Sequence, residues 1–551
     1  MYIDNKLYVA HSPKGPLCLT GKMCNRHGLI AGATGTGKTV TLQVLAETFS
    51  QAGVPCFMAD MKGDLSGISQ TGKMSGFIEK RCAEFGIENP EFQPCPVRFY
   101  DVFGEQGFPM RTTISAMGPQ LLARLMDLNE TQAGVLNIVF KIADDKKLLL
   151  IDLKDLRLML DFVGKNAAMF TTAYGNVSSA SIGAIQRSIL AIESEGGDKF
   201  FGEPAFDIND LFDVEGGKGV MSVLAADKLM LNPKLYSTFL LWLMTELYAK
   251  LPEVGDMELP KLIFFFDEAH MLFEGTSKAL VDKLEQVIRL IRSKGVGIYF
   301  ITQSPTDVPD NILAQLSNRV QHALRAFTPN DQKAVRAAAN TFRTNPELNT
   351  EEAIMTLETG EALVSFLDEK GAPGMVERAR VLFPLSQIGA VTEGQRLDIK
   401  NAAPARIKAY EDFFDRESAY EILSAENALE TAKLEEAKAQ KEAEKAEKEA
   451  AKAQREAEKE QRAAEREAAR QEKEQAKKSS GWKRTIFGTL VGAVVTSVAR
   501  SLGSSAGKMI TGSGSKKSTS TGKDILGKAA KSATQTATRK VTEEVLKSIF
   551  K

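Results

Sequence analysis

The chain has 551 residues, a formal net charge of −1, and hydrophobic and charged fractions of 43% and 26%. These values are typical of a soluble protein with two or three average domains, or one large domain with attachments. They exclude a uniformly basic nucleic-acid-binding chain, and five sparse cysteines without a CxxC pair exclude a disulfide framework or a cysteine zinc site.

The first predicted elements alternate between strands and helices. Between residues 28 and 103, the pattern predicts a strand at "GLIAGA", a helix at "TVTLQVLAETFSQAG" that stops at Gly53, and strands at "VPCFMAD" and "VRFYDVF". Leucine-rich segments such as "GPQLLARLMDL" then predict a helical insertion over residues 110–213.

Strand signals resume after the insertion. The predicted strands are "GVMSVLAAD", "KLIFFFD", "GIYFITQ", "RVQHALRAF", "EALVSFLD" and "MVERARVLF", and helices are predicted at "PKLYSTFLLWLMTELYAKL" and "SKALVDKLEQVIRLIRSKG". Apolar strands that alternate with helices favour an α/β fold with a mostly parallel sheet covered on both faces. Such sheets bind ligands beyond the carboxyl ends of their strands.

The composition changes sharply near residue 425. Residues 425–478 are almost entirely Ala, Glu, Lys, Arg and Gln, with opposite charges at three- and four-residue spacing, which favours a long helix. Apolar heptad positions are missing after Leu434, so a solvated single helix is favoured over a coiled coil. The expected segments are 1–109 and 214–424 for the two parts of the core, 110–213 for the insertion, 425–478 for the charged helix, and 479–551 for a basic tail.

A phosphate-binding loop is predicted after the first core strand. The pattern G-x-x-x-x-G-K-T follows an apolar strand and opens a helix, which is the context of a P-loop in a RecA-like NTPase core. Lys38 is expected to reach the β- and γ-phosphates of ATP, and Thr39 to ligate Mg²⁺. The predicted nucleotide-binding residues are Gly32, Ala33, Thr34, Gly35, Thr36, Gly37, Lys38 and Thr39.

A second motif, "KLIFFFDEAH", delivers acidic residues at the end of an apolar strand. Asp267 is typical of a Walker B aspartate that holds Mg²⁺ through water, and Glu268 is expected to polarise the attacking water. His270 receives no catalytic role. Gln303 ends the next strand, "GIYFITQ", where a polar side chain can contact the γ-phosphate and sense hydrolysis.

These motifs together resemble the HerA/FtsK branch of P-loop ATPases, and within it a group of short bacterial HerA-helicase-like proteins of unassigned role. The resemblance covers about residues 1–400 and includes the pattern Asp60, Lys62, Gly63 and Asp64 in "FMADMKGDLSG". The letters "DEAH" are interpreted as coincidental. DEAH-box helicases carry a Ser-Ala-Thr motif and a second RecA-like domain, and neither is recognisable in this sequence.

The resemblance implies a hexameric ring with ATP sites at subunit interfaces, in which an arginine of one subunit completes the site of its neighbour. Arg319 is the first candidate for that arginine, and Arg325, Arg378 and Arg380 are alternatives. The resemblance also implies movement on double-stranded DNA and work with a nuclease. No DNA-reading module is recognisable in the sequence, so DNA as the substrate follows from the family alone.

The basic tail, residues 479–551, suggests a different class of function. "GWKRTIFGTLVGAVVTSVARSLG" has an apolar stripe on a segment of about 15 residues between basic flanks, which is shorter than the roughly 20 residues needed to span a bilayer. It is suited to lying on an anionic membrane, to packing on a partner helix, or to docking on the protein's own surface. The alternative prediction is an ATP-driven switch or scaffold that acts on proteins at the membrane surface. The N-terminus has no secretory signal, so we expect a cytoplasmic protein. The basic tail also allows a peripheral position at the inner face of the membrane.

Overall fold

The computed structural model describes residues 1–255, 257–273, 278–326 and 328–478, and the predictions for residues 479–551 lie outside these described residues. The amino-terminal part contributes seven strands and two helices. In chain order they are β1 (Tyr2–Ile3), β2 (Lys6–Ser12), β3 (Gly15–Leu19), β4 (Gly28–Ala31), α1 (Lys38–Gln51), β5 (Cys56–Asp60), α2 (Gly76–Phe85), β6 (Val97–Asp101) and β7 (Phe108–Pro109).

A helical segment follows β7. Its helices are α3 (Ile114–Leu125), α4 (Glu130–Asp145), α5 (Leu153–Lys165), α6 (Ala167–Tyr174), α7 (Ser179–Ser194) and α8 (Gly197–Phe200). Local sequence fixes where two of them begin. The side chains of Asn129 and Asp152 accept hydrogen bonds from the first amides of α4 and α5, in capping boxes completed by Gln132 and Asp155.

The chain then returns to the sheet and ends in one long helix. The elements are β8 (Val214–Glu215), β9 (Lys218–Gly219), β10 (Met221–Ala225), α9 (Pro233–Lys250), β11 (Leu262–Phe266), α10 (Lys278–Ile291), β12 (Val296–Thr302), α11 (Asp310–Leu313), β13 (Asn318–Gln321), α12 (Pro329–Asn340), α13 (Thr350–Thr356), β14 (Glu361–Ser365), β15 (Glu377–Val381), α14 (Glu393–Ala402), α15 (Ala405–Lys408) and α16 (Ala419–Lys478).

Among the described residues, thirteen strands form one sheet in the order β1-β2-β15-β14-β13-β4-β12-β11-β5-β10-β6-β7, with β3 beside β2. Neighbouring strands from β13 to β7 are parallel. The strands from β14 to the other edge pair antiparallel. The predicted α/β fold with a mostly parallel sheet is confirmed.

The apolar strand β11 shows why both faces of this sheet are covered. Successive side chains of a strand point to opposite faces. Leu262, Phe264 and Phe266 join the core that also contains residues of α3–α5, α7 and α9, whereas Ile263 and Phe265 join the core built on α1. All five are fully buried, so the continuous apolar run is the signature of a central strand with two buried faces.

Three features differ from the sequence predictions. The strand predicted at "RVQHALRAF" stops at Gln321, because the chain turns away to meet the phosphate loop. The charged helix begins at Ala419, before the composition changes, since the amide of Ala419 bonds to the carbonyl of Leu149 and anchors the helix start. The hairpin of β2 and β3 was not predicted, and β2 pairs with β15 to extend the sheet.

Residues 441–478 form a separate unit that continues α16 as a helix of alternating charges. Lys448 and Glu444 form an ion pair one helical turn apart, as the i,i+4 spacing favours. Within the described part of the chain, no helix is both long and apolar enough to cross a bilayer.

Candidate phosphate-binding site

The carboxyl ends of four adjacent parallel strands bring the predicted site residues together. The strands β4, β12, β11 and β5 lie side by side in that order. Residues 32–39 follow β4, Gln303 follows β12, Asp267 and Glu268 follow β11, and Lys62 lies two residues beyond β5. The site therefore lies at the edge of the sheet where parallel α/β folds bind ligands.

Residues 32–39 form a loop between β4 and α1 that is pinned at its start. The amide of Gly32 donates to the carbonyl of Thr302, the last residue of β12. The amide of Ala33 donates to the carbonyl of Ala323, which lies two residues beyond β13. A Cβ on Gly32 would lie 2.5 Å from the Cβ of His322, so only glycine allows this close approach. The beginning of the loop is therefore fixed by the sheet.

The centre of the loop is open. Gly35 has a φ of +79° and would meet nothing within 4 Å if it carried a Cβ, and both Thr34 and Gly35 are exposed. Among the described residues, the amides of Thr34, Gly35 and Gly37 have no hydrogen-bond acceptor. Unbonded amides at the start of a helix are the groups that bind phosphate oxygens.

Lys38 is the first residue of α1, and its side chain folds back across the loop. Its Nζ donates to the carbonyl oxygens of Gly32 and Ala33 at 2.7 and 3.2 Å. Burial lowers the pKa of Lys38, and the negative charges of Glu268 and Asp267 oppose that effect. The amine is thus held at the mouth of the loop, within the field of the acidic residues that follow β11.

Asp267 is the first acidic residue after β11, and it is 7% exposed. Its Oδ1 accepts a hydrogen bond of 3.0 Å from the amide of Glu268. Burial, followed by the nearby charge of Glu268, raises the pKa of Asp267 to about 6. This environment is that of a carboxylate that would gain from a nearby cation.

Glu268 adopts a left-handed backbone conformation, with φ 46° and ψ 50°. Its Oε1 accepts a hydrogen bond of 2.7 Å from Nζ of Lys62. Its Oε2 is buried without a hydrogen-bond partner, although Nδ1 of His270 lies 3.5 Å away. Burial would raise the pKa of Glu268, but the hydrogen bond and charge of Lys62 outweigh it and lower that pKa. Glu268 therefore stays ionised, with one oxygen that has no hydrogen-bond partner.

Gln303 lies immediately beyond β12 and is exposed. The turn that carries it is fixed by Asp307, whose Oδ2 accepts hydrogen bonds from the Thr302 hydroxyl and the Ser304 amide. A cleft of about 570 Å³ opens here, and it is lined by His270, Phe273, Gln303, Ser304 and Asp307. Gln303 thus lies between the phosphate loop and the acidic residues, beside open space.

Arg319 is not brought to the phosphate loop of its own chain. It pairs with Leu29 in the sheet, two residues before the carboxyl end of β4. Its guanidinium donates to three carbonyl oxygens of its own chain, those of Leu313, Leu316 and Thr341. These bonds fasten the ends of α11 and α12 to β13.

The three alternative arginines have different surroundings. Arg325 is exposed, forms no hydrogen bond or ion pair with the described residues, and lies two residues beyond Ala323, which bonds to the loop. Arg378 and Arg380 instead pair with Glu361. Arg380 also pairs with Glu84. Among these candidates, Arg325 combines a free side chain with a position at the phosphate-loop edge.

Two residues of this site had no role assigned from the sequence. His322 is fully buried, and its ring bonds to the hydroxyl of Thr41 on α1 and to the carbonyl of Glu361 on β14. Lys62 belongs to a pattern that marked the family resemblance, but its hydrogen-bond partner, Glu268, lies 206 residues further along the sequence. Neither long-range contact has a signal in local sequence spacing.

The residues present fit a magnesium nucleotide. Free loop amides and Lys38 suit the phosphates, while the Thr39 hydroxyl and the Asp267 carboxylate are hard oxygen ligands of the kind Mg²⁺ prefers. The described residues contain no group of three or more His, Cys, Asp or Glu that could hold a metal by themselves. This donor set matches the common magnesium arrangement in which one carboxylate acts together with substrate phosphates.

A family model described as "Helicase HerA-like C-terminal" matches residues 5–517. Two curated relatives, the DNA double-strand break repair helicases HerA of Sulfolobus acidocaldarius and Sulfurisphaera tokodaii, are 27% and 30% identical over 116 and 111 residues. These matches cover 21% and 20% of this chain, and 22% and 21% of the relatives. The matched region thus spans about a fifth of the curated relatives.

Among solved structures, the bacterial conjugative coupling protein TrwBdeltaN70 in its unbound monoclinic form aligns with 71% of this chain and 92% of that chain. The TM-score is 0.45 and the sequence identity is 17%.

Proposed function

Because the chain belongs to the helicase HerA-like C-terminal family, we propose that it is a magnesium-dependent ATPase that works as a ring-shaped motor on double-stranded DNA. The observation that carries the catalytic part is the placement of the loop lysine Lys38 and the acidic pair Asp267 and Glu268 at one edge of the sheet. Each of the two buried strands, β4 and β11, delivers one half of this site.

The phosphate loop binds and orients ATP. The free amides near Gly35 would receive phosphate oxygens, and Lys38 would exchange its bonds to the Gly32 and Ala33 carbonyls for bonds to the β- and γ-phosphates. Thr39 and Asp267 would hold Mg²⁺, which when bound neutralises charge on the phosphate oxygens. Binding thus needs only residues of one chain.

Glu268 supplies the base for hydrolysis. Its free Oε2 takes a proton from a water molecule whose oxygen attacks the γ-phosphorus. The bond from that phosphorus to the bridging oxygen breaks as the new bond forms, and ADP leaves with the electron pair. Gln303, exposed beside the cleft, is proposed to contact the γ-phosphate and to report its loss to the turn held by Asp307.

Ring formation and DNA are proposed from the family. A ring would place an arginine of one subunit at the ATP site of the next, where it would stabilise charge in the transition state. Arg319 is the first candidate from the sequence, but its guanidinium is bonded to three carbonyl oxygens of its own chain, which supports testing the exposed Arg325 as well. The two curated relatives are named as DNA double-strand break repair helicases, which supports duplex DNA as the polymer, and a nuclease is the proposed partner.

The test is the rate of ATP hydrolysis by the full chain with and without linear duplex DNA, together with its mass in solution with ATP. We expect DNA to stimulate hydrolysis and ATP to favour a hexamer. Stimulation by anionic lipid vesicles and not by DNA would instead support a membrane-associated switch acting through residues 479–551. A chain that hydrolyses ATP only as a monomer would contradict the ring.

A further inference from the structure

Lys62 and Glu268 join the loops that follow two neighbouring strands. Nζ of Lys62 lies 2.7 Å from Oε1 of Glu268, and the two side chains are 54% and 12% exposed. The lysine therefore reaches from the solvent side onto a largely buried carboxylate. A pair with one desolvated member in good hydrogen-bonding geometry is stronger than an ordinary surface ion pair.

The position of Lys62 is set by a tight turn after β5. Oδ1 of Asp60 accepts hydrogen bonds from the amides of Gly63 at 2.8 Å and Lys62 at 3.4 Å. Gly63 has a φ of +76°, which favours glycine at this point of the turn. Since β5 pairs with β11 up to Ala59 and Phe266, the turn lies directly beside the loop that carries Glu268.

Glu268 itself is constrained by its backbone and by one of its two oxygens. A left-handed conformation is unfavourable for a residue with a Cβ, and such strain is found where a side chain must be held in a particular place. Lys62 occupies Oε1, whereas Oε2 is buried without a hydrogen-bond partner. The carboxylate thus has one oxygen bonded to Lys62 and one without a hydrogen-bond partner, 3.5 Å from Nδ1 of His270.

We propose that Lys62 is a positioning residue for hydrolysis, which fixes Oε1 of Glu268 so that Oε2 faces the attacking water. This inference rests on the proposed function of Glu268 as the base. A glutamate side chain has several rotatable bonds, and a misplacement of about 1 Å lowers a reaction rate by on the order of a hundredfold. Lys62 removes that freedom through its hydrogen bond to Oε1.

The test compares Lys62→Ala and Lys62→Arg in the full chain, with Lys73→Ala as the matched control. Lys73 is exposed and forms no ion pair with the described residues. Each variant is assayed for kcat, for KM and for the binding of a non-hydrolysable ATP analogue. Lys62→Ala is expected to lower kcat by about a hundredfold with KM and analogue binding nearly unchanged. Lys62→Arg should recover part of that loss, because arginine can also donate to Oε1.

A double variant shows whether Lys62 acts through Glu268. Adding Lys62→Ala to Glu268→Gln should lower the residual rate no further, because the group that Lys62 positions has already been removed. Four results would overturn the inference: unchanged kcat in Lys62→Ala, raised kcat, weakened analogue binding, or an additive loss in the double variant. A wild-type chain without ATPase activity would instead refute the proposed function, so the two failures are distinguishable.

Discussion

At the scale of single residues, replacing Gly35 tests two effects, one on the stability of the fold and one on ATP binding. Gly35 and Gly86 both have left-handed backbones, and a Cβ added at either position would meet open space. Replacing either by alanine should destabilise the fold by about 1 kcal/mol from backbone strain. Gly35→Ala should also weaken ATP binding, because a methyl group would intrude where phosphate approaches the loop. Melting temperature and titration with an ATP analogue measure the two effects.

Gly86→Ala is the matched control for that prediction, since Gly86 is the C-cap of α2 and is not part of the loop at residues 32–39. Equal losses of ATP binding in the two variants would show that backbone strain, and not contact with phosphate, is responsible.

A second prediction at this scale concerns the arginine contributed by a neighbouring subunit. Replacement of that arginine by alanine should leave ATP binding intact and lower the rate of hydrolysis. Arginine fingers in general contribute a factor on the order of 10³–10⁵ to kcat. Arg325→Ala and Arg319→Ala are each mixed with Glu268→Gln subunits, which we expect to hydrolyse ATP only slowly by themselves. Mixed rings should recover activity for the arginine that acts in trans, because some interfaces then contain both intact groups.

Arg319→Ala should in addition lower the melting temperature, since three carbonyl groups lose their donor. Absence of recovery with both variants, when subunit exchange is demonstrated, would move the test to Arg378 and Arg380.

At the scale of secondary-structure elements, two buried histidines, one just before β4 and one just after β13, join strands to helices. His27 accepts a hydrogen bond from the amide of Ile298 at Nδ1, and His322 bonds to Thr41 and Glu361. Burial lowers the pKa of each to about 4. Both rings are therefore neutral, with one nitrogen available as an acceptor.

These pKa values predict a loss of stability in acid. The unfolded chain, with histidine pKa values near 6.5, binds protons before the folded chain does. Stability from these groups is fully present above about pH 6.5 and is lost as the pH falls toward 4, by up to about 3 kcal/mol for each histidine. Melting temperatures between pH 4 and 8 should show a shallower acid slope in His27→Gln/His322→Gln than in the wild type.

His11→Gln is the control for that measurement, because His11 is only partly buried. Identical acid slopes in the wild type and the double variant would rule out the two buried histidines as the source.

The sequence predicts those elements whose signals are local. The loop at residues 32–39 and the strand β11, which ends just before Asp267, are recognisable because a short pattern carries their chemistry. The end of β13 was not predictable, since Gln321 and His322 are polar residues whose burial depends on contacts with α1 and β14. The pairing of β2 with β15 joins segments more than 360 residues apart, and no local pattern encodes such a distance.

At the scale of the whole molecule, the proposed catalytic groups all lie within the first 440 residues, which form one compact unit. Deletion of residues 479–551 should therefore leave the ATPase rate and the melting temperature of the core nearly unchanged. It should alter the retained partner or the membrane fraction in which the protein is found. Loss of folded core on deletion would show that residues 479–551 are required for the fold.

The central claim is that Glu268 is the base for ATP hydrolysis, and the most direct test compares the hydrolysis rates of the full chain and its Glu268→Gln variant in the presence of Mg²⁺. The binding of a non-hydrolysable ATP analogue is measured for both proteins. Glutamine keeps the size of the side chain but cannot accept the proton. We predict that both proteins bind the analogue equally well and that the variant hydrolyses ATP about 10²–10⁴-fold more slowly. Hydrolysis by Glu268→Gln at the wild-type rate would contradict the assignment of Glu268 as the base.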